Sequence, residues 1–386
     1  MRYVRRILGK ELGKAARAFP AVVLTGPRRA GKTTLLKKAF PKAEYVLLED
    51  PDVTARVRAD PRGFLDELQL PVIFDEIQNT PELLNYVRTR IDATPRRMGR
   101  WVLTGSCDIG LMRGITESMA GRAAVLGLLP FSVAESPKVT VLRGGFPEVL
   151  ARPTAARLWF ASYVQTYLER DVRAMSAISD LSAFRRFMSL VASRCGQILN
   201  KTDIAAPLGV SVPTVTSWLS ILEATGQIIL VPPFYENFGK RLIKSPKVYF
   251  VDSGLACHLL GIDSARTLNA SPFLGPIFEG HVAAEILKTQ RHTGRRPEVY
   301  YFRDQQGLEV DFVIGGRGGT LLLVEAKASR TVKPSDARPI ERLRRAVKRY
   351  TCNGFVVHRP SAGAPAMQTV SRGVKAVDVP GIVTIV

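Results

Sequence analysis

The apolar run Ala21 to Leu24 leads directly into Gly26-Pro27-Arg28-Arg29-Ala30-Gly31-Lys32-Thr33-Thr34, and this order restricts the fold more than any other feature of the chain. An apolar run without alternation belongs to a strand covered on both faces, and a glycine turn followed by Lys-Thr-Thr opens a helix. Gly26 and Gly31 let backbone N–H groups close around phosphate oxygens. Lys32 has the reach and charge for the outer phosphates, and Thr33 offers a hydroxyl to Mg²⁺. The candidate nucleotide-binding set is therefore Gly26, Pro27, Arg28, Arg29, Ala30, Gly31, Lys32, Thr33 and Thr34.

A second motif belongs with the first. Pro71-Val72-Ile73-Phe74-Asp75-Glu76 is a short apolar run that ends in two acids, with Asp75 placed 43 residues after Lys32. One strand and one helical stretch fit between them, as a doubly wound parallel sheet requires. Asp75 joins Thr33 as a candidate Mg²⁺ ligand, and Glu76, one residue beyond the strand, is the candidate to polarise water against a γ-phosphate. Strands are expected over Ala21 to Leu24, Glu44 to Leu48, Pro71 to Asp75, Arg100 to Thr104 and Ala123 to Leu129, with helical patterns between. Ser106, just past the fourth strand, is a candidate γ-phosphate sensor. Arg122, before the fifth, either reaches a γ-phosphate in its own or a neighbouring subunit or is a surface arginine.

Length and charge bound the rest. The 386 residues, 46% hydrophobic, suffice for two or three cores. Neither an 18-residue apolar run nor an apolar leader segment is present, so a cytoplasmic chain without a membrane partner is expected. Cys107, Cys195, Cys257 and Cys352 are too dispersed for a disulfide framework or a zinc site. Lys and Arg number 55 against 34 Asp and Glu, a net charge of +21. Such a chain favours polyanions, and DNA is the expected one, with affinity that falls as salt rises.

The middle of the chain turns helical, with Trp159, Tyr163, Tyr167 and Leu168 on one face. Thr202 to Leu208, Gly209 and Ser211 to Glu223 then spell helix, turn, helix. Ser211 suits a cap, and Val215, Trp218, Leu219 and Leu222 form the buried stripe. Gly226 to Val231 and Lys247 to Val251 suggest strands flanking a loop with Lys240, Arg241 and Lys244, in the manner of a winged helix. Its second helix carries no Lys or Arg, so packing and DNA reading both stand as roles.

In the last third, Glu309-Val310-Asp311-Phe312-Val313-Ile314 alternates as a strand does, which puts Glu309 and Asp311 on one side. Thirteen residues separate Asp311 from Glu325-Ala326-Lys327, with the turn Gly315 to Gly319 between, so a hairpin brings Asp311, Glu325 and Lys327 to one face. An Asp and a Glu on adjacent strands suit Mg²⁺ or Mn²⁺, and a lysine beside them suits a phosphodiester transition state. Glu279, on a helix upstream, is a candidate further metal ligand. Arg342, Arg345 and Arg349 line one side of a later helix opposite Leu343, Ala346, Val347 and Tyr350, either a phosphate-backbone face or a solvated surface.

Taken together, GPRRAGKTT (Gly26 to Thr34), VIFDEIQ (Val72 to Gln78), LTGS (Leu103 to Ser106), MAGR (Met119 to Arg122), GGFPE (Gly144 to Glu148), YLERDV (Tyr167 to Val172), KSPKVYFVDSGL (Lys244 to Leu255), Phe278-Glu279, EVDF (Glu309 to Phe312) and EAK (Glu325 to Lys327) carry a resemblance. Across nearly its whole length the chain resembles the prokaryotic AAA-type ATPases whose C-terminal half is domain of unknown function 4143. The resemblance implies an α/β P-loop NTPase core at 1–135, a helical and winged-helix domain at 136–265 and a restriction-endonuclease-like PD-(D/E)xK domain at 266–386. The expected cofactors are ATP and Mg²⁺, with Mg²⁺ or Mn²⁺ at the C-terminal site. The expected catalytic set is Lys32 and Glu76 for ATP hydrolysis and Asp311, Glu325 and Lys327 for DNA cleavage. Homo-oligomers would be needed only for Arg122 to act in trans. A rival expectation is a nucleotide-gated interaction switch with a silent nuclease-like domain.

Overall fold

The computed structural model describes residues 3–105, 117–168, 180–235, 245–361 and 363–386. Five strands, β1 (Ala21–Thr25), β2 (Glu44–Leu47), β3 (Val72–Asp75), β4 (Trp101–Thr104) and β5 (Ala123–Gly127), pair in parallel in the order β2-β3-β4-β1-β5. Successive side chains point to opposite faces, so each face needs its own cover. Helices α1 (Leu8–Ala18) and α2 (Lys32–Ala39) cover one face, where Leu8, Leu12, Leu35 and Leu36 pack on Val22, Leu24, Ile73 and Val102. Helices α3 (Pro51–Ala59), α4 (Pro61–Glu67) and α5 (Leu83–Ala93) cover the other, with Val57, Phe64, Leu84 and Val87 against Val23, Phe74 and Leu103. Asp50 and Asp60 cap α3 and α4 through the N–H groups of Asp52 and Gly63, each ahead of a proline at the first helical position.

Strand β5 stops at Gly127, short of the expected Leu129. Leu128 donates its N–H to Thr25 O at 2.8 Å, and Leu129 leaves the sheet to pack with Val251 and Leu287. The segment 129–135 is thus a junction. Glu135 accepts from Arg6 Nε at 3.0 Å, and Lys288 donates to Phe131 O at 3.1 Å.

The middle region gathers the helices Pro147–Ala151, Ala156–Tyr163, Leu181–Ser193, Lys201–Leu208 and Val212–Ala224 around Phe146, Phe160, Phe184, Phe187 and Trp218. Ser211 accepts from Thr214 N as the helix cap, Gly209 ends the preceding helix at φ 67°, and the two helices meet at 109°. The hairpin β6 (Ile228–Val231) and β7 (Lys247–Phe250) follows, antiparallel. Lys240, Arg241 and Lys244 lie outside the described residues, as do Glu169, Arg170 and Asp171. Asp252 caps the helix Ser253–Leu259 through Leu255 N and accepts from Gly145 N at 2.7 Å, and a Cβ at Gly144 would overlap its carboxylate. The GGFPE and VDSGL motifs therefore meet at a packing joint.

The long helix Leu274–His292 opens the last region and lies on a mixed sheet of order β12-β13-β11-β10-β9-β8. Strands β8 (Val299–Arg303), β9 (Glu309–Gly315) and β10 (Thr320–Ala326) form an antiparallel meander, and β11 (Thr351–Val357) joins β10 in parallel after the helix Arg338–Ala346. Strands β12 (Met367–Ser371) and β13 (Val374–Val377) complete the sheet. The helix carrying Arg342 and Arg345 ends at Ala346, so Arg349 lies beyond it, and Ala346 is exposed rather than in the buried stripe. No helix among the described residues is long and apolar enough to cross a membrane by itself.

Candidate functional sites

The phosphate loop occupies the turn from β1 into α2. Gly26 has φ 148° and Gly31 has φ 97°, conformations that a side chain would strain, and a Cβ at Gly26 would overlap Leu128 O. Arg29 also takes positive φ, 62°. Lys32, 6% exposed, donates to Gly26 O at 2.9 Å and Pro27 O at 3.1 Å, so its ammonium is held by the loop's own carbonyls. Arg6 props the loop from behind: its Nη1 donates to Ala30 O at 2.9 Å while its Nε binds Glu135.

Asp75 ends β3 beside that helix. Its Oδ2 accepts from Thr33 Oγ1 and from Tyr45 OH, each at 2.7 Å, while its buried Oδ1 has no hydrogen-bond partner. A buried carboxylate oxygen without a donor, next to a threonine hydroxyl, matches what a hard cation needs. Burial and the Asp75 charge push the Tyr45 phenol well above its usual range. Strand β4 stands between β1 and β3, and Thr104, on the same face as Asp75, is fully buried with Oγ1 unpartnered. Thr104 is a candidate γ-phosphate sensor that the sequence reading missed. Ser106, the residue it favoured, lies outside the described residues.

Glu76 has φ 59°, left-handed backbone that a non-glycine residue adopts at a cost of about 1–3 kcal/mol. Gln78 Nε2 donates to its carboxylate, and Arg28 Nη1 stands 3.8 Å away. Of the alternatives open for Arg122, the structure removes one. Its carbonyl accepts from Ala21 N, so it sits where β1 and β5 begin, at the end of the sheet opposite the loop, and its guanidinium binds Asp92 at 2.6 and 3.0 Å. It cannot serve a phosphate of its own subunit.

The C-terminal acids come together as the hairpin predicts. Asp311 on β9 lies beside Glu325 on β10, and Asp311 Oδ2 accepts from Ala326 N at 2.9 Å. Lys327 Nζ binds Glu325 Oε2 at 2.8 Å, and Glu325 Oε1 is buried without a partner. Glu279 reaches the same place from the long helix. Burial first and the Asp311 charge second push Glu325 up to about 8 and Glu279 up to about 7.

At the centre stands Lys247, a residue the sequence reading left out of the site. It is 2% exposed, and its Nζ lies 2.6 Å from Glu309, 3.0 Å from Glu279 and 3.7 Å from Asp311. Tyr249 OH adds a bond to Glu279 Oε1 at 2.6 Å. The available signal was a lysine opening the otherwise apolar strand Lys247-Val248-Tyr249-Phe250. Arg303 holds the exposed side of Glu309 at 3.5 Å. Among the described residues, no group of three acids, cysteines or histidines is arranged to hold a metal ion.

A parallel sheet with a glycine loop after β1, an acid ending β3 and one strand between them defines a P-loop ATPase. The family models agree along the chain: an AAA domain over residues 18–136, domain of unknown function 8612 over 135–266 and domain of unknown function 4143 over 274–378. Uncharacterised proteins of Mycobacterium bovis and Mycobacterium tuberculosis are each 32% identical over 319 residues, covering 80% of this chain and 71% of theirs. The chain belongs to their family, the AAA-type ATPases that carry a C-terminal domain of unknown function 4143. Among solved structures, a Walker-type ATPase of Pyrococcus abyssi overlaps 65% of this chain and 94% of its own, at 18% identity and TM-score 0.42. The RuvB protein of Thermotoga maritima overlaps 58% and 89%, at 17% identity and TM-score 0.31. Both overlaps are loose and add nothing to the family assignment.

Proposed function

We propose that this chain is a Mg²⁺-dependent ATPase whose nucleotide state controls how its middle and C-terminal regions engage DNA. Residues Gly26 to Thr34 would hold the phosphates, Thr33 and Asp75 the Mg²⁺, and Glu76 would orient and deprotonate water. The bound Mg²⁺ would supply charge neutralisation at the phosphates. The observation that carries the control is the seat of the middle region on the loop. Tyr163 OH donates to Arg28 O at 3.5 Å, Gln227 Nε2 donates to Tyr163 OH at 3.1 Å, and Gly226 abuts Pro27. A loop that closes on phosphates moves those contacts, and with them the hairpin that leads to Lys247.

The net charge of +21 supports DNA as the polyanion. Binding to a fluorescent duplex, titrated with salt in ATP analogue and in ADP, tests this reading. Affinity that falls steeply with salt and differs between nucleotides is expected. Affinity indifferent to nucleotide, or absent near physiological salt, removes the DNA half. Lys32→Ala protein that still holds nucleotide removes the other half.

A second reading follows from the helix, three-strand meander, helix and parallel strand of the last region, an order similar to restriction-endonuclease folds. Asp311, Glu325 and Lys327 would then cut phosphodiesters, with Glu279 a further ligand. The buried ammonium of Lys247 weighs against constitutive cleavage and favours a gated or silent site. Supercoiled plasmid with Mn²⁺, with and without ATP, beside Lys327→Ala, tests it. Nicking lost in the variant supports a nuclease, and intact plasmid throughout supports the switch. In a ring or dimer, Arg122 would be available only to a neighbouring subunit's nucleotide.

A further inference from the structure

Lys247 reaches the acid cluster from β7, a strand of the middle region, whereas Glu279, Glu309, Asp311 and Glu325 all belong to the C-terminal region. A buried ammonium is costly unless carboxylates surround it, and here three do. The same oxygens are the ones a divalent cation would require, since hard cations take carboxylate oxygens. Glu279 Oε1 is taken by Lys247 and Tyr249, and Asp311 Oδ2 by the Ala326 N–H, leaving Asp311 Oδ1 facing the ammonium at 3.7 Å. Glu325, 3% exposed, keeps Oε1 buried and unpartnered beside them. One free oxygen does not hold a cation, yet its burial without a donor marks a position where positive charge is wanted.

We propose that Lys247 is a built-in cation that competes with a divalent metal ion for this cluster, so that the C-terminal site accepts metal only as the ammonium leaves it. The inference rests on reading the cluster as a metal site. The hairpin links the two sites: β6 starts two residues after Gly226, which packs on Pro27 of the phosphate loop, and Val231 at its far end pairs with Lys247. A four-residue strand spans roughly 13 Å, so one rigid pair of strands runs from the loop to the acids. Tyr249 of the same strand and Val231 opposite it are buried in one core with Phe278, Phe312 and Val324, so the strand stays in place and the ammonium itself is what has to leave the acids.

The test is a Mn²⁺ titration of the full chain without nucleotide, followed by the loss of the free-ion paramagnetic resonance signal. The unaltered protein and Lys247→Arg, which keeps the charge, should bind weakly. Lys247→Gln should bind about tenfold tighter or more, the competing charge being gone. Adding Asp311→Asn should abolish the gain, which separates this site from Asp75. Mn²⁺ should also raise the melting temperature of Lys247→Gln and leave that of the unaltered protein in place. A folded Lys247→Gln that binds Mn²⁺ no tighter overturns the proposal. Should that variant not fold, Lys247→Gln with Glu309→Gln removes one charge of each sign, and equal or weaker Mn²⁺ binding there overturns it as well. Without nucleotide, none of these outcomes depends on ATP turnover, so failure of the ATPase reading shows separately in Lys32→Ala.

Discussion

The phosphate loop and the acid cluster each enclose a lysine, and the two lysines are held in opposite ways. Lys32 binds the carbonyls of Gly26 and Pro27, six and five residues back in its own loop. These are neutral dipoles, and an ammonium can leave them for phosphate oxygens at little cost. Lys247 binds Glu279, Glu309 and Asp311, acidic groups supplied by elements 32, 62 and 64 residues further on. An ammonium between buried carboxylates leaves only when another cation replaces it. The first site is built to trade partners and the second to keep them, which is the difference between a substrate site and a latch.

The largest effect should come at the loop. Glu76→Gln should lower ATP turnover roughly 10²–10⁴-fold while nucleotide affinity holds, the loss expected of a missing general base. Steady-state phosphate release beside nucleotide titration checks it, and equal turnover would remove Glu76 from the chemistry. Next comes Lys247→Met, which should cost about 3–5 kcal/mol of stability in urea because it strands buried carboxylates. Lys32→Met should change stability less, by about 1 kcal/mol, since the carbonyls of Gly26 and Pro27 that it meets are neutral dipoles. Comparable losses for both would erase the contrast between the two lysines.

Gly226→Val should be milder, about 1–3 kcal/mol for a branched side chain at φ 69° against Pro27. It should also change ADP affinity, and unaltered ADP binding in calorimetry would uncouple the hairpin from the loop. The most gradual effect is with pH. Glu325 and Glu279, raised from 4.5 to about 8 and about 7, keep protons in the folded chain that the unfolded chain has released. Stability from these groups is therefore present below about pH 4.5 and lost as pH rises toward 8. Urea midpoints between pH 5 and pH 8 should fall for the unaltered protein and fall less for Glu325→Gln. Parallel profiles would show that the lysines already balance these acids.

Much of this was legible in the chain itself. Unbroken apolar runs located β1, β3 and β4, Ser211 marked a helix start, and alternation in Glu309 to Ile314 put Glu309 and Asp311 on one side. Each inference used residues within about a dozen positions of one another, where backbone periodicity carries the information. The alternatives for Arg122 stayed open in the sequence because proximity to β5 does not say which end of the sheet a residue meets. Parallel pairing of Ala21 with Ala123 decides that. Leu129 leaves the sheet because Val251 and Leu287 receive it, and Gly144 and Gly145 pack on Asp252 more than a hundred residues away.

By itself, then, the sequence determined the phosphate loop, the acid that ends β3, the helix-turn-helix and the hairpin bearing Asp311 and Glu325, because each is written in local spacing and glycine conformation. Only the tertiary structure decided which charges are buried together. It brought Lys247 from one region into the acids of another, set Arg6 behind the loop against Glu135, and left Asp75 and Glu325 each with a buried oxygen unpaired. Those outcomes depend on burial, which removes water and makes distant charges choose one another.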